Sequence, residues 1–194
     1  MKKRTIFGKI TLNAPVTLGF AFACIIVLLL DLITGGSSTN ALFCVYRSSL
    51  VNPMTYVRCV LHVLGHASWE HLINNMMFIL LLGPALEEKY GSFRMFIIIV
   101  FTAFVAGFSS ILFFPGTVLL GASSVAFSLI LLSSFTSTGG DKIPLTFILI
   151  AVMYIGSEIY DGIFVADHTS QFAHIIGGAV GTLFGLTLGR RKSK

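Results

Sequence analysis

Long apolar segments separated by short polar ones make up most of this chain. Six such segments can be marked, at approximately residues 16–34, 72–86, 93–114, 118–135, 143–160 and 172–188. A helix of about 20 residues crosses the hydrocarbon core of a bilayer. Because lipid cannot form hydrogen bonds with the backbone, the N–H and C=O groups of a spanning segment must pair within the helix. We therefore predict six transmembrane helices, of which the second is short unless it begins nearer to Leu64.

The composition agrees with a chain that lies mostly in lipid. Of the 194 residues, 55% are hydrophobic and 11% are charged, whereas a soluble domain carries about 25% charged residues. The length fits one domain, so we expect a single membrane domain over residues 1–194 without a separate soluble domain. The basic start is followed by an apolar segment with no obvious cleavage site, which favours an anchored first helix over a signal peptide.

The basic residues fix the expected orientation. If the N-terminus is cytoplasmic, every lysine and arginine except Arg47 and Arg58 falls on the cytoplasmic side of the six predicted helices. This asymmetry predicts that both termini are cytoplasmic. The net charge of +5 is then explained by topology, and no nucleic-acid partner is expected. We predict a multi-pass protein of the cell membrane, which is the plasma membrane if the source is bacterial.

Polar residues recur at one depth in three of the predicted helices. The second, fourth and sixth segments run from outside to inside, and their first two turns carry His71, Asn75, Ser123, Gln171 and His174. Because a helix rises about 1.5 Å per residue, these side chains should meet in the outer part of the membrane. Polar groups inside a bilayer are costly and usually mark function.

Ser123 and His174 are candidates for a nucleophile and its base. Ser123 opens an apolar helix, and alone it also fits a small residue at a helix contact. His174 precedes Gly177 and Gly181, whose spacing lets another backbone approach closely. We expect this stripe to contact the fourth helix and to bring the imidazole to the serine. A serine and a histidine within hydrogen-bond reach are the minimum for an activated hydroxyl.

Three further residues fit such a site but have alternatives. His71 and Asn75 are four residues apart and share a helix face, where they are either donors to an oxyanion or hydrogen bonds between helices. Phe127 follows Ser123 by four positions, so its ring either packs on the histidine or belongs to the ordinary apolar core.

Metal chemistry is a weaker interpretation. His62 and His66 have the spacing of two zinc ligands, but no glutamate follows the first as in His-Glu-x-x-His. We therefore expect neither a metal nor another cofactor. Cys44 and Cys59 share the first outer loop, and the sequence leaves open whether they form a disulfide.

Taken together, the chain resembles the rhomboid family of intramembrane serine proteases in its bacterial six-helix form. The resemblance covers about residues 58 to 185 with order and spacing intact. It is carried by His62-x3-His66-x4-His71-x3-Asn75, by Gly121-x-Ser123, by Ala173-His174-x2-Gly177-x3-Gly181, and by Arg58 and Glu87 followed by Gly91 and Ser92.

The resemblance implies a role for each site residue. Ser123 would be the nucleophile and His174 the general base, without a carboxylate in the manner of a triad. The oxyanion hole would comprise His71, Asn75 and the backbone N–H of Ser123, and Phe127 would pack on the catalytic histidine.

Two positions depart from the family pattern. Ser124 stands where a second glycine is frequent, and Val57 stands where a tryptophan often precedes the loop arginine. The first departure bears on the turn at the nucleophile. The second bears on the packing of the loop.

The expected function is cleavage of transmembrane segments of membrane proteins near the outer face. Its partners would be transmembrane protein substrates and membrane lipid. Two alternatives remain, namely a catalytically inactive rhomboid-like binding protein and a small metal-binding or transport protein. An inactive relative would be expected to lack Ser123 or His174, and a transporter would more naturally show broken helices or a repeat.

Overall fold

The computed structural model describes residues 12–134 and 168–189, with a few helical positions between 145 and 156. The described chain forms α1 (Pro15–Thr34), α2 (Pro53–Leu61), α3 (Trp69–Tyr90), α4 (Ser92–Phe113), α5 (Ser123–Ser134) and α6 (His168–Gly189), and two short strands, β1 (Val45–Tyr46) and β2 (Val118–Leu119). Helices α1, α3, α4, α5 and α6 correspond to the first, second, third, fourth and sixth predicted segments. Apart from those few helical positions, the fifth segment lies outside the described residues.

Three of these helices have the length and apolar character of membrane spans. Within the described residues they are α1, α4 and the Gln171–Leu188 part of α6. Helix α3 has 22 residues, which is also enough to cross a bilayer, but polar residues at both ends lower its hydropathy. The chain is therefore a mostly helical, multi-pass membrane protein, while the count of six helices and the orientation of the termini stay predictions.

The beginning of α3 is set by a serine cap. Ser68 is extended, and its hydroxyl accepts a hydrogen bond from the backbone N–H of His71 at 3.1 Å, which satisfies one of the free donors of a helix N-terminus. The chain before it forms a short 3₁₀ turn, His62–Leu64, and not an earlier part of the helix. The helix therefore begins at Trp69, three residues before the marked segment, and does not extend back to Leu64.

The beginning of α5 agrees with the prediction that Ser123 opens an apolar helix, but it lies after the start of the marked apolar segment. The segment was expected to be helical from residue 118, but Val118 and Leu119 form β2 and pair antiparallel with β1. Gly121 then takes φ +114°, a backbone conformation that side chains disfavour. Helix α5 consequently begins at Ser123.

The loop between α1 and α3 is held together by polar contacts. Arg58 donates from Nε to the carbonyl of Ala41 at 2.9 Å, and its guanidinium lies 4.6 Å above the ring centre of Tyr46. The aromatic ring that packs on Arg58 is therefore Tyr46 of β1. The neighbouring position 57, where the family often has a tryptophan, is a valine in this chain. The cysteines Cys24, Cys44 and Cys59 are buried free thiols, so Cys44 and Cys59 are not bridged.

Helix α5 is the centre of the bundle and packs against α3 on one side and α6 on the other. Fully buried side chains such as Ile79, Ile98 and Leu129 join α3, α4 and α5 into one core. In lipid, such packing relies on close fit between side chains more than on escape from water. The arrangement brings the first turns of α3 and α5 to the same end of the bundle.

Candidate active site

The turn that precedes Ser123 is hydrogen-bonded to the loop before α3. The backbone N–H of Gly121 donates to the carbonyl of His62 at 3.0 Å, and the N–H of Ala122 donates to Nε2 of His66 at 3.4 Å. A Cβ at Gly121 would lie 2.6 Å from ring atoms of His71. Glycine is therefore required here both for its backbone angle and for the closeness of that ring.

His66 can accept its bond because its ring is neutral, whereas His62 contributes its backbone carbonyl. Burial lowers the pKa of each imidazole to about 4. Their Nδ1 atoms lie 3.0 Å and 3.2 Å from the carbonyls of Cys59 and Leu64, which places the ring proton on Nδ1. Nε2 of His66 is then an acceptor, as its bond from Ala122 requires.

The only chemical role that the sequence suggested for these two histidines was as metal ligands. Within the part of the chain that the structure describes, no three histidine, cysteine or acidic side chains are grouped to hold a metal ion. The rings of His66 and His71 do meet, with centres 5.1 Å apart. The contribution of His66 is to orient the turn before Ser123 through its bond from Ala122.

Ser123 is the first residue of α5 and is partly exposed. At this position of a helix the backbone N–H has no partner within the helix. The helix dipole adds partial positive charge at the same point. The hydroxyl and the free N–H of Ser123 therefore lie where a developing negative charge would be stabilised.

His71 and Asn75 reach the same turn from α3. The Cβ position of Gly121 lies 2.6 Å from Nε2 of His71 and 3.7 Å from Nδ2 of Asn75. Asn75 is 6% exposed, and its Nδ2 has no hydrogen-bond partner among the described residues. A buried donor left without a partner costs about 1–3 kcal/mol. This donor is therefore available to an acceptor that arrives with a ligand.

His174 lies beside the face of α5 that carries Ser123. Its ring centre is 4.6 Å from that of Phe127, and Phe127 lies one turn after Ser123 on the same face. His174 and His71 are close enough to interact electrostatically. The structure thus gathers His71, Phe127 and His174 around the start of α5.

Two glycines allow α5 and α6 to approach backbone to backbone. A Cβ at Gly177 would overlap the carbonyl oxygen of Ser124 and lie 2.8 Å from its carbonyl carbon. A Cβ at Gly181 would overlap the carbonyl oxygen of Ser128 in the same way. The separation of the two helices, and with it the position of His174 relative to Ser123, depends on the absence of these side chains.

Two polar residues near the site have no described partner. The hydroxyl of Ser124 is buried and makes no hydrogen bond to a described residue, although the carbonyl of Ser124 faces Gly177. The side-chain oxygen of Gln171, at the start of α6, is likewise buried without a partner in the described chain.

The class defined by this fold and site is a polytopic membrane protein with a serine and a histidine on adjoining helices. A family model described as "Rhomboid domain" matches residues 53–191, and the chain belongs to the rhomboid family.

The curated relatives come from plants and bacteria. They include Rhomboid-like protein 11, chloroplastic, of Arabidopsis thaliana, which is 30% identical over 62% of this chain and 40% of the relative. Rhomboid protease GlpG of Serratia proteamaculans is 27% identical over 87% of this chain and 61% of the relative. RHOMBOID-like protein 4 of Arabidopsis thaliana is 27% identical over 63% of this chain and 32% of the relative. The chain thus matches between about a third and three fifths of each relative's length.

Proposed function

We propose that this chain is an intramembrane serine endopeptidase in which Ser123 is the nucleophile and His174 the general base. The observation that supports this most is the contact of His174 with Phe127, one turn from Ser123, with a buried and unpaired amide donor of Asn75 nearby. The name and sequence of the GlpG relative agree with protease activity.

The proposed reaction proceeds through an acyl-enzyme. Neutral His174 removes the proton of the Ser123 hydroxyl as the oxygen attacks the substrate carbonyl, and then donates that proton to the leaving amine. A water molecule, activated by the same imidazole, hydrolyses the ester and restores the serine. Since hydrolysis consumes water, the start of α5 must be accessible to water from the nearer face of the membrane.

His71, Asn75 and the N–H of Ser123 would stabilise the oxyanion of each tetrahedral intermediate. Donors that are already oriented need no reorganisation when charge develops, and they act more strongly away from bulk water. Asn75 suits this role because its amide is fixed by burial and its Nδ2 has no hydrogen-bond partner among the described residues.

The proposed substrates are transmembrane segments of other membrane proteins, cleaved near the outer face. This follows from the location of Ser123 at the first turn of α5 and from the predicted orientation with both termini in the cytoplasm. Reporter fusions test the orientation: a C-terminal fluorescent protein should fold and emit, while a C-terminal alkaline phosphatase should be inactive.

Labelling with a fluorophosphonate tests the nucleophile and base together. The purified protein in detergent should be labelled, Ser123→Ala should not, and His174→Ala should be labelled far more slowly. Ser124→Ala is the matched control because it removes the neighbouring hydroxyl, and it should still label.

Cleavage of a model transmembrane substrate completes the test. Ser123→Ala should abolish cleavage and leave thermal unfolding unchanged. Cleavage by Ser123→Ala near the native rate would refute the nucleophile. A protein that is folded but neither labels nor cleaves would instead be an inactive binding member of the family.

A further inference from the structure

A cleft lies away from the proposed catalytic residues, between the loop after β1 and the end of α4. It has a volume of about 490 Å³ and is lined by Arg47, Ser48, Ser49, Leu50, Ile111 and Leu112. One side of the cleft is polar and belongs to the loop. The other is apolar and belongs to the last turn of α4.

The polar side offers hydrogen-bond donors that no described residue uses. Arg47 is exposed and makes no hydrogen bond or ion pair with any described residue, in contrast to Arg58 of the same loop, which binds the carbonyl of Ala41. The hydroxyl of Ser49 accepts from the N–H of Val51 at 3.4 Å, so its proton is free to be donated. A guanidinium and a hydroxyl that line the same cleft suit an anion with several oxygens.

The loop that carries these groups is rigidly attached. Buried Thr55 donates to the carbonyl of Ser49 at 2.8 Å and contacts the hydroxyl of Ser48 at 2.7 Å. The hydroxyl of Tyr56 donates to the carbonyl of Leu50 at 2.9 Å. Because the backbone of the turn is fixed before any ligand arrives, little order is lost on binding.

The depth of the cleft in the bilayer identifies the kind of anion. Helix α4 has 22 residues, so it is about 33 Å long, while the hydrocarbon core is about 30 Å thick. Ile111 and Leu112 lie in its last turn, at the opposite end from Arg94. Arg47 therefore lies at the level of the lipid phosphates, and the apolar side of the cleft lies where acyl chains begin.

We propose that this cleft binds a phospholipid of the leaflet next to the catalytic serine. The phosphodiester is held by the guanidinium of Arg47 and the hydroxyl of Ser49. The first part of an acyl chain lies on Leu50, Ile111 and Leu112. The occupant is a lipid and not free phosphate, because half of the cleft is apolar and continues into the exposed side chains of Leu112 and Phe113.

Lipid affinity measured by native mass spectrometry tests the proposal. The full chain, freed of lipid in detergent, is titrated with palmitoyl-oleoyl phosphatidylglycerol, and the dissociation constant of the first lipid is measured. Loss of the arginine charge near the membrane surface should weaken lipid binding about fivefold in Arg47→Gln. Arg94→Gln, which removes a charge at the other end of α4, is the matched control and should bind as the native chain does.

A second variant tests the apolar side independently. Leu112→Trp places a larger side chain in the cleft and should weaken binding of the same phospholipid. Leu81→Trp, at an exposed site on α3, is the control and should not change the affinity. Thermal unfolding is measured for all four variants. Neither Arg47 nor Leu112 is buried, so folding should be preserved.

Two further measurements show whether the cleft binds a phospholipid or free phosphate. Diacylglycerol with the same chains should bind more weakly than the phospholipid, and inorganic phosphate should not displace it. The proposal is overturned if Arg47→Gln and Leu112→Trp bind the phospholipid normally, if diacylglycerol binds equally well, or if phosphate alone competes. Slower substrate cleavage with unchanged lipid affinity in Arg47→Gln would assign the arginine to a protein partner and would also overturn it.

Discussion

Asn75 is a buried polar residue on α3, close to the turn that precedes Ser123. Its Nδ2 has no hydrogen-bond partner among the described residues, and such groups are rare in native proteins. Its neighbours at the turn before α5 are His71 and Gly121. An unsatisfied donor at this point is explained if the oxygen that it binds belongs to a reaction intermediate.

Removal of this donor should slow catalysis without unfolding the protein. Asn75→Ala should lower kcat by about 10²–10³, the loss measured for one oxyanion donor in another enzyme. His71→Ala should have a similar or smaller effect. Cleavage of a transmembrane substrate in detergent gives kcat and KM. Asn74→Ala, at the exposed neighbouring position, is the control, and an unchanged kcat in both site variants would make His71 and Asn75 structural.

At the residue scale, the sequence predicted the helices that carry the candidate residues but not how the turn before Ser123 is held. The spacing of His71, Asn75, Ser123 and His174 was enough to place them on facing helices. The bond from Ala122 to His66 could not be predicted, because it joins residues 56 positions apart and depends on a tautomer that burial selects.

Among the elements, the N-terminus of α1 is capped by a carboxylate of α3. Ala14 at the N-cap of α1 offers no side-chain cap. Instead, Glu87 of α3 accepts from the N–H groups of Val16 and Thr17 at 3.0 Å and 2.8 Å, and from the hydroxyl of Thr17 at 2.8 Å. A carboxylate there satisfies free N–H groups and complements the helix dipole.

Neutralising Glu87 should therefore destabilise the bundle. Hydrogen bonds to a charged group contribute about 1.5–3 kcal/mol, so Glu87→Gln should lose an amount of this order. Thermal unfolding in detergent measures the loss. Glu88→Gln removes the adjacent, exposed carboxylate and should unfold like the native protein. Equal unfolding temperatures for the two variants would show that the cap of α1 does not depend on the charge.

The contact between α5 and α6 makes a sharper prediction. Even the methyl group of Gly177→Ala would meet the backbone of Ser124, which cannot rotate away as a side chain can. The helices must separate, and a misplacement of about 1 Å can cost about 10²-fold in rate. The free energy of unfolding should also fall by about 1–3 kcal/mol.

Activity and thermal unfolding should be measured together for this variant. Gly19→Ala is the matched control, since a Cβ at Gly19 on α1 would meet nothing within 4 Å, and alanine is the better helix former. Native cleavage by Gly177→Ala would mean that the glycine contact does not set the position of His174.

Element boundaries show where sequence patterns stop being informative. The apolar segment from residue 118 continues without interruption into α5, and hydropathy alone does not reveal that Val118 and Leu119 pair with β1. Long-range strand pairing and the left-handed backbone of Gly121 decide the boundary. The long, strongly apolar helices α1 and α4 were predicted closely because lipid demands both their length and their composition.

For the whole molecule, the loop between α1 and α3 links stability to pH. His62 and His66 are buried in it, and burial lowers the pKa of both from 6.5 to about 4. In the unfolded chain each would titrate near its ordinary value. Between these pH values the unfolded state binds more protons than the folded state, so stability is fully present above about pH 6.5 and falls as the pH drops toward 4.

Acidification should therefore loosen the attachment of this loop to the turn before Ser123. Each histidine can contribute a slope of up to about 1.4 kcal/mol per pH unit in that window. Thermal unfolding in one detergent at pH 7.5, 6.5, 5.5 and 4.5 measures the combined effect. His62→Gln should be less stable at pH 7.5, because it loses a buried ring, but its stability should depend less on pH than that of the native chain. A protein whose unfolding temperature is the same at pH 7.5 and 4.5 would contradict this, since protonating the bare Nε2 of His66 removes the acceptor that binds Ala122.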